Sequence, residues 1–285
     1  MELTLRPGVP ADANECGRIC FAAFKSIADR HGFPQDFPSP EVAAGLMSFL
    51  IGHPKFHATV AEFDGRIVGS NFLDERSVIA GIGPITVDPT TQRKGVGRRL
   101  MESVLERAGA RHFAGVRLVQ VAYNNQSLCL YSTLGFRTRE PLSLLTGAPP
   151  NVKLAGYDVR NADQADIETC NQICRAVHGH DRAGEIEDAV GEKTATVVEH
   201  LGRVIGYATA IGFFAHAVSL SDEGIMALIG AAAQIAGPGI LVPTRNHRLF
   251  TWCLANNLKL VQQMTLMTIG LYCEPSGAYL PSILY

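Results

Sequence analysis

Val87-Asp88-Pro89-Thr90-Thr91-Gln92-Arg93-Lys94-Gly95-Val96-Gly97-Arg98-Arg99 decides the reading of this chain. The stretch leaves an apolar, β-rich run, passes two glycines and enters a segment in which Leu100, Met101, Val104, Leu105 and Ala108 share one helical face. Gly95 and Gly97 let backbone N–H groups approach an anion with no Cβ in the way, and the start of a helix adds unpaired donors and the positive end of its dipole. Arg93, Lys94, Arg98 and Arg99 concentrate four cations in a chain whose net charge is -2, which points to a polyanionic ligand such as a diphosphate. From the loop alone, a plain strand–helix turn with a solvated basic face competes with that reading. A P-loop would put Gly-Lys-Ser/Thr at the helix start and a dinucleotide fingerprint a third glycine; Arg98-Arg99-Leu100 supplies neither.

Working outward, Leu3 and Leu5 alternate with polar neighbours as in a strand, and residues 11–28 have helical spacing. Residues 31–40, rich in Pro and Phe, read as a loop before a helix at 41–51. Residues 58–62, 67–73 and 79–87 read as strands, the first two joined by the Asp64-Gly65 hairpin signal. A helix at 97–108, a strand at 116–121 and a helix at 126–134 follow. Hairpins mixed with crossovers indicate an α/β protein with a mixed, α+β type of sheet.

The pattern then repeats. Arg6, Asp12, Cys16, Ile19, Cys20 and Ala22 recur at the same mutual spacing as Arg160, Asp166, Cys170, Ile173, Cys174 and Ala176. Gly65-Arg66-Ile67-Val68-Gly69 is echoed by Gly202-Arg203-Val204-Ile205-Gly206, and Asn124 before a helix by Asn246 before a helix. Two domains follow, 1–145 and 158–285, with 146–157 as a linker opened by Thr146-Gly147-Ala148-Pro149-Pro150. A length of 285 residues with 47% apolar and 18% charged residues suits that organisation.

The charge balance provides no broad basic field for nucleic acid or anionic lipid, so neither is an expected partner. The first residues lack the features of a secretory signal, and the apolar run 225–236 is short for a membrane span and reads as a buried helix. Seven scattered cysteines without a CxxC suit reduced thiols, which favours a cytoplasmic location. His53/His57 and His178/His180 lack further ligands in the sequence, and no metal is expected.

The first half resembles the GNAT (GCN5-related N-acetyltransferase) superfamily, whose Gln/Arg-x-x-Gly-x-Gly/Ala loop after Val-x-Pro is matched from Val87 to Gly97. Its second signature, Asn and then Tyr seven residues on, followed by x-x-x-Gly-Phe, is matched by Asn124, Tyr131, Gly135 and Phe136. The resemblance implies a tandem pair of GNAT-like domains with acetyl-CoA as cosubstrate. The pantetheine would lie along the backbone at Ile85 and Val87 and against Asn124, and the diphosphate at Gln92, Arg93, Lys94, Gly95, Val96, Gly97, Arg98 and Arg99. A primary amine would attack the thioester directly, with Tyr131 as general acid to the departing thiolate. Among Glu62, Asp74 and Glu75, Glu75 is the preferred general base. In the second half the glycine loop is missing, and Cys253 and Asn257 stand where Tyr131 and Gly135 stand in the first, so that half resembles a degenerate GNAT domain. The expected activity is N-acetylation of a small or amino-acid-like amine. The alternatives are a protein N-acetyltransferase and a non-catalytic acyl-CoA sensor, and a homodimer is compatible with the sequence.

Overall fold

A computed structural model describes residues 3–91 and 94–284. In chain order the first half contains β1 (Leu3–Pro7), α1 (Ala13–His31), α2 (Pro40–Gly52), β2 (Phe56–Phe63), β3 (Arg66–Asp74), β4 (Ile79–Ile82), β5 (Thr86–Val87), α3 (Val96–Ala110), β6 (Gly115–Val121), α4 (Asn125–Thr133) and β7 (Arg137–Thr146). The second contains β8 (Tyr157–Asn161), α5 (Ile167–His178), α6 (Ala183–Gly191), β9 (Thr196–His200), β10 (Arg203–Ala208), β11 (Ala217–Ser219), α7 (Asp222–Ala231), β12 (Ile240–Pro243), α8 (His247–Ala255), β13 (Lys259–Gly270) and β14 (Ala278–Leu280). Asp64 and Gly65 both take positive φ, the geometry that a two-residue hairpin between β2 and β3 requires. Ser39 caps α2, with Pro40 in its first turn. The apolar run at 225–236 is α7 and its exit, with residues 224–230 buried; among the described residues no helix is long and apolar enough to cross a membrane.

The run at 79–87, one strand by sequence, is divided in the structure. β4 pairs parallel with β6 over Ile79–Gly81 and antiparallel with β3, whereas beyond Pro84 the chain runs on along β3 alone, Thr86 and Val87 pairing with Ser70 and Gly69. Proline has no N–H to continue a ladder, so the edge of β4 comes away from β6 at this point. A wedge opens between the two strands.

The repeat is visible as chemistry. The Arg6 guanidinium grips Asp12 at 2.7 and 2.9 Å and donates through Nε to Glu62 at 2.9 Å; Arg160 grips Asp166 at 2.6 and 2.8 Å and donates through Nε to Glu199 at 2.7 Å. Both aspartates also accept a backbone N–H at the turn before the first helix of their half. Cys16, Cys20, Cys170 and Cys174 are all buried as packing groups. The left-handed position after α4 is Gly135, and its counterpart after α8 is Asn257 with φ of 66°, a conformation that asparagine tolerates.

The two halves are joined by exchanged strands. The larger sheet runs β1-β2-β3-β4-β6-β13-β7-β12, with β5 on β3, and the smaller β14-β11-β10-β9-β8. β13, from the second half, thus lies between β6 and β7 of the first, and β7 reaches β12 of the second. The exchange has an approximate two-fold axis at the facing pair Leu142 and Met264. These two residues are related by the offset that relates Asn124 to Asn246, and the flanking pairs obey it as well: Met264 faces Val121 as Leu142 faces Pro243, and Met267 faces Leu118 as Leu145 faces Ile240.

Candidate active site

A cavity of about 360 Å³ occupies the wedge between β4 and β6. Ile82, Ile85, Thr86 and Val87 form one wall, and Leu118, Val119, Gln120 and Val121 the other. Its far end reaches the start of α3 at Gly95, Val96, Gly97 and Arg98, and α4 contributes Ser127, Leu130 and Tyr131. Backbone left unpaired where two strands part is the natural place for an extended amide chain to hydrogen-bond.

Gly95 is the N-cap of α3, with φ of 80° and no side-chain cap, so the first N–H groups of the helix keep their donors free for a ligand. Arg98 lines the cavity and donates to Thr133 at 2.8 Å. Lys94 and Arg99 stand exposed on the same turn, Lys94 over the Phe63 ring. Gln92 and Arg93 lie outside the described residues. Asn124 lines the cavity but is occupied as the N-cap of α4, its Oδ1 accepting from the Ser127 N–H and its Nδ2 donating to Ser127 Oγ at 2.8 Å. Asn246 caps α8 in the same way. Capping alone therefore accounts for asparagine at both positions. Tyr131 is buried at the cavity edge, packed edge-on to Phe136, and burial pushes its phenol up to about 12, so at neutral pH the hydroxyl keeps its proton and can donate it.

Glu75, the expected general base, faces elsewhere. Its carboxylate is held by Arg107 of α3, through both Nε and Nη2, with Arg111 3.6 Å away, and it does not line the cavity. The end of β3 lies against the flank of α3, where the two arginines consume its lone pairs. Asp74 is taken up by Arg76 at 2.6 Å and Glu62 by Arg6, so neither of the other expected carboxylates reaches the cavity.

The carboxylate that does line it is Asp36, from the loop between α1 and α2. Burial pushes its pKa up to about 6. Phe24, Phe37 and Tyr123 surround that end, and the second half supplies Phe213, Phe214, Met264, Ile283 and Leu284. Residues 31–40 contain Asp36 as their sole acid, which is the signal by which sequence could have found it. The second-half residues carry no such signal, since they arrive through strand exchange and the folded-back tail. Leu284 in that tail puts its carbonyl directly over Gly81, where a Cβ would sit 2.0 Å from the oxygen.

At the corresponding place in the second half, α7 begins with a closed, acidic end. Ser221 Oγ accepts the Gly224 N–H, Asp222 accepts from Asn246 at 2.7 Å, and Glu223 pairs with Arg248. Cys253, at the position of Tyr131, is buried. Among the described residues no group of three or more His, Cys, Asp or Glu side chains could hold a metal ion.

Residues 54–138 match a family model described as the acetyltransferase (GNAT) domain. Three solved structures resemble nearly the whole chain. A Pyrococcus horikoshii protein provisionally named an acetyltransferase has a TM-score of 0.74 at 18% identity, over 99% of this chain and 92% of that one. A GCN5-related N-acetyltransferase from Sphaerobacter thermophilus has a TM-score of 0.61 at 15% identity, over 95% and 96%. A tandem GNAT protein from the clavulanic acid biosynthesis pathway has a TM-score of 0.55 at 14% identity, over 94% and 98%. At these identities the likeness is one of fold. A comparison with curated proteins finds no match to this chain. Residues 54–138 thus match the GNAT acetyltransferase domain, and the chain as a whole has the fold of tandem GNAT structures.

Proposed function

We propose that the chain is an acetyl-CoA-dependent N-acetyltransferase acting on the primary amine of a small molecule, with one working site, in the first half. The observation that carries this reading is the continuous cavity from the parted edges of β4 and β6 to the uncapped start of α3. The pantetheine arm would pair with the backbone at Ile85 and Val87, and the diphosphate would take the N–H groups from Gly95 onward with charge from Lys94, Arg98 and Arg99, and from Gln92 and Arg93 as the sequence motif suggests. The thioester would then lie beside Tyr131.

The neutral amine nitrogen attacks the thioester carbonyl and forms a C–N bond. The C–S bond breaks with its electron pair on sulfur, the nitrogen loses a proton, and the thiolate gains one. Tyr131 donates a hydrogen bond to that sulfur as charge develops. A phenol near 12 is a weaker acid than a free thiol near 8.5, so Tyr131 steadies the thiolate in the transition state and full protonation is completed from solvent.

The second half is read as a degenerate site. Asp222 and Glu223 would repel a diphosphate at the start of α7, and Ser221 already takes the Gly224 N–H there. Calorimetric titration of the full chain with acetyl-CoA tests both statements. One site per chain is expected; two sites would overturn the degenerate second half, and none would overturn the cofactor reading.

A further inference from the structure

Resting on the acetyl-transfer reading above, we infer that the acceptor is an arylalkylamine-like monoamine, one ammonium group on an apolar body of aromatic size, received by Asp36 and Gln120. Charge is the first observation. Among the described residues Asp36 is the one carboxylate that lines the cavity, and no cation or donor pairs with it. The titratable groups around it are Cys20 of α1, Tyr123 after β6, and Arg30 and His31 at the end of α1, which line the same cavity. One buried carboxylate suits a single ammonium. A polyamine or aminoglycoside would bring several cations to a surface with no acid left to meet them.

Shape is the second. Phe24 and Phe37 meet edge to face at 5.7 Å, Phe33 stacks on Tyr123 at 4.2 Å, and Phe213 stands perpendicular to Phe214, which is 42% exposed. Aromatic walls from three separate parts of the chain suit a flat apolar body and can face a cation with ring electrons.

Gln120 of β6 is the third. It is 6% exposed, lines the cavity, and neither its amide nitrogen nor its amide oxygen has a partner among the described residues. A buried amide is seldom left so, and a ligand bound in the wedge would supply the missing partner. In the reaction, an ammonium hydrogen-bonded to Asp36 passes one proton to the carboxylate, directly or through water. The freed nitrogen attacks the thioester as above, and Asp36 returns the proton to solvent.

The test uses the full chain and thiol release from acetyl-CoA, with phenethylamine, spermidine and a lysyl peptide as acceptors. Expected is a kcat/KM for phenethylamine at least roughly tenfold above the other two, a difference of about 1.4 kcal/mol. Asp36→Asn should raise the phenethylamine KM by roughly tenfold or more, as loss of one charged hydrogen bond implies, and flatten the rise of kcat/KM between about pH 5 and 7. Acetyl-CoA affinity should not change, which also reports that the variant is folded, and Asp36→Glu should recover part of the loss. Gln120→Leu should raise KM with little effect on kcat. Preference for spermidine or the peptide, or no turnover of phenethylamine while acetyl-CoA binds, would overturn the acceptor class and leave the cofactor site standing. An Asp36→Asn enzyme with unchanged KM and pH profile would remove Asp36 from the mechanism. Failure to bind acetyl-CoA at all would instead defeat the reading on which this one rests.

Discussion

Residues 1–150 on their own should not form a folded monomer. β13 fills the gap between β6 and β7, and its Met264, Leu266 and Met267 are 3%, 1% and 0% exposed. Full burial of such a side chain contributes roughly 1.5–3 kcal/mol, so these three account for about 5–9 kcal/mol. Removing β13 also strips its ladder partners from β6 and β7, and β7 loses β12 as well. Each ladder bond contributes about 1 kcal/mol net. The loss equals the whole stability of a typical domain, about 5–15 kcal/mol. One escape is open to the fragment: since Leu142 faces its own counterpart Met264, two copies could place β7 in each other's gap around a true two-fold axis. Sedimentation velocity with thermal melts over a hundredfold concentration range provides the assay. The expected result is an unfolded chain, or a dimer whose melting temperature rises with concentration. A monomer melting cooperatively at a concentration-independent temperature would refute the argument that the exchange is essential.

Tyr131→Phe should lower kcat by roughly a hundredfold with acetyl-CoA affinity nearly unchanged, measured by thiol release and calorimetry; equal kcat would remove Tyr131 as donor, and lost affinity would make its role structural. Asp12 and Asp166 have pKa values lowered chiefly by hydrogen bonds from Arg6 and Arg160. Their folded values lie below the unfolded ones, so the stability they contribute is complete above about pH 4 and lost as pH falls through the folded values. In urea unfolding the Asp12→Asn/Asp166→Asn double variant should therefore be less stable than wild type at pH 7, with the gap narrowing as pH falls below about 4; a gap that does not narrow would rule out ionisation as the source. Gly81→Ala should displace the tail, because its Cβ would meet the Leu284 backbone oxygen at 2.0 Å, and a cost of roughly 1–3 kcal/mol is expected in chemical denaturation. Wild-type stability and intact acceptor kinetics in that variant would mean that the tail does not close the cavity.

What sequence disclosed follows from the range of each interaction. The glycine loop, the α3 face and the Asp64-Gly65 hairpin are local, so spacing alone located them. The repeat was legible because Arg6, Asp12, Arg160 and Asp166 form the same buried-end ion grip twice. The strand exchange had no local sign: Leu142 and Met264 are apolar strand residues whichever neighbours they take. The misplacement of Glu75 has a similar origin. An acid at the end of β3 is a fair candidate until Arg107, 32 positions along and on a helix whose pitch brings it back over that strand end, claims both oxygens. Asp36 became visible as a site residue only when the fold placed the 31–40 loop over the wedge.

On the proposed reading, the exchange also explains how a half without a working site can be retained. If the second half were an independent domain, loss of its glycine loop and of a tyrosine at Cys253 would leave it nothing to contribute. Instead β13 supports β6, one wall of the cavity, and Phe213, Phe214, Ile283 and Leu284 line the same cavity. On the proposed reading, selection on this half acts through strand register and wall shape, not through donors at α7. Substitutions at Ser221, Asp222 or Glu223 should then alter local helix stability by about 1 kcal/mol or less, and leave acetyl transfer as it was. A change at Met264 or Phe213 should be felt in the first half's kinetics, although neither residue belongs to that half by sequence.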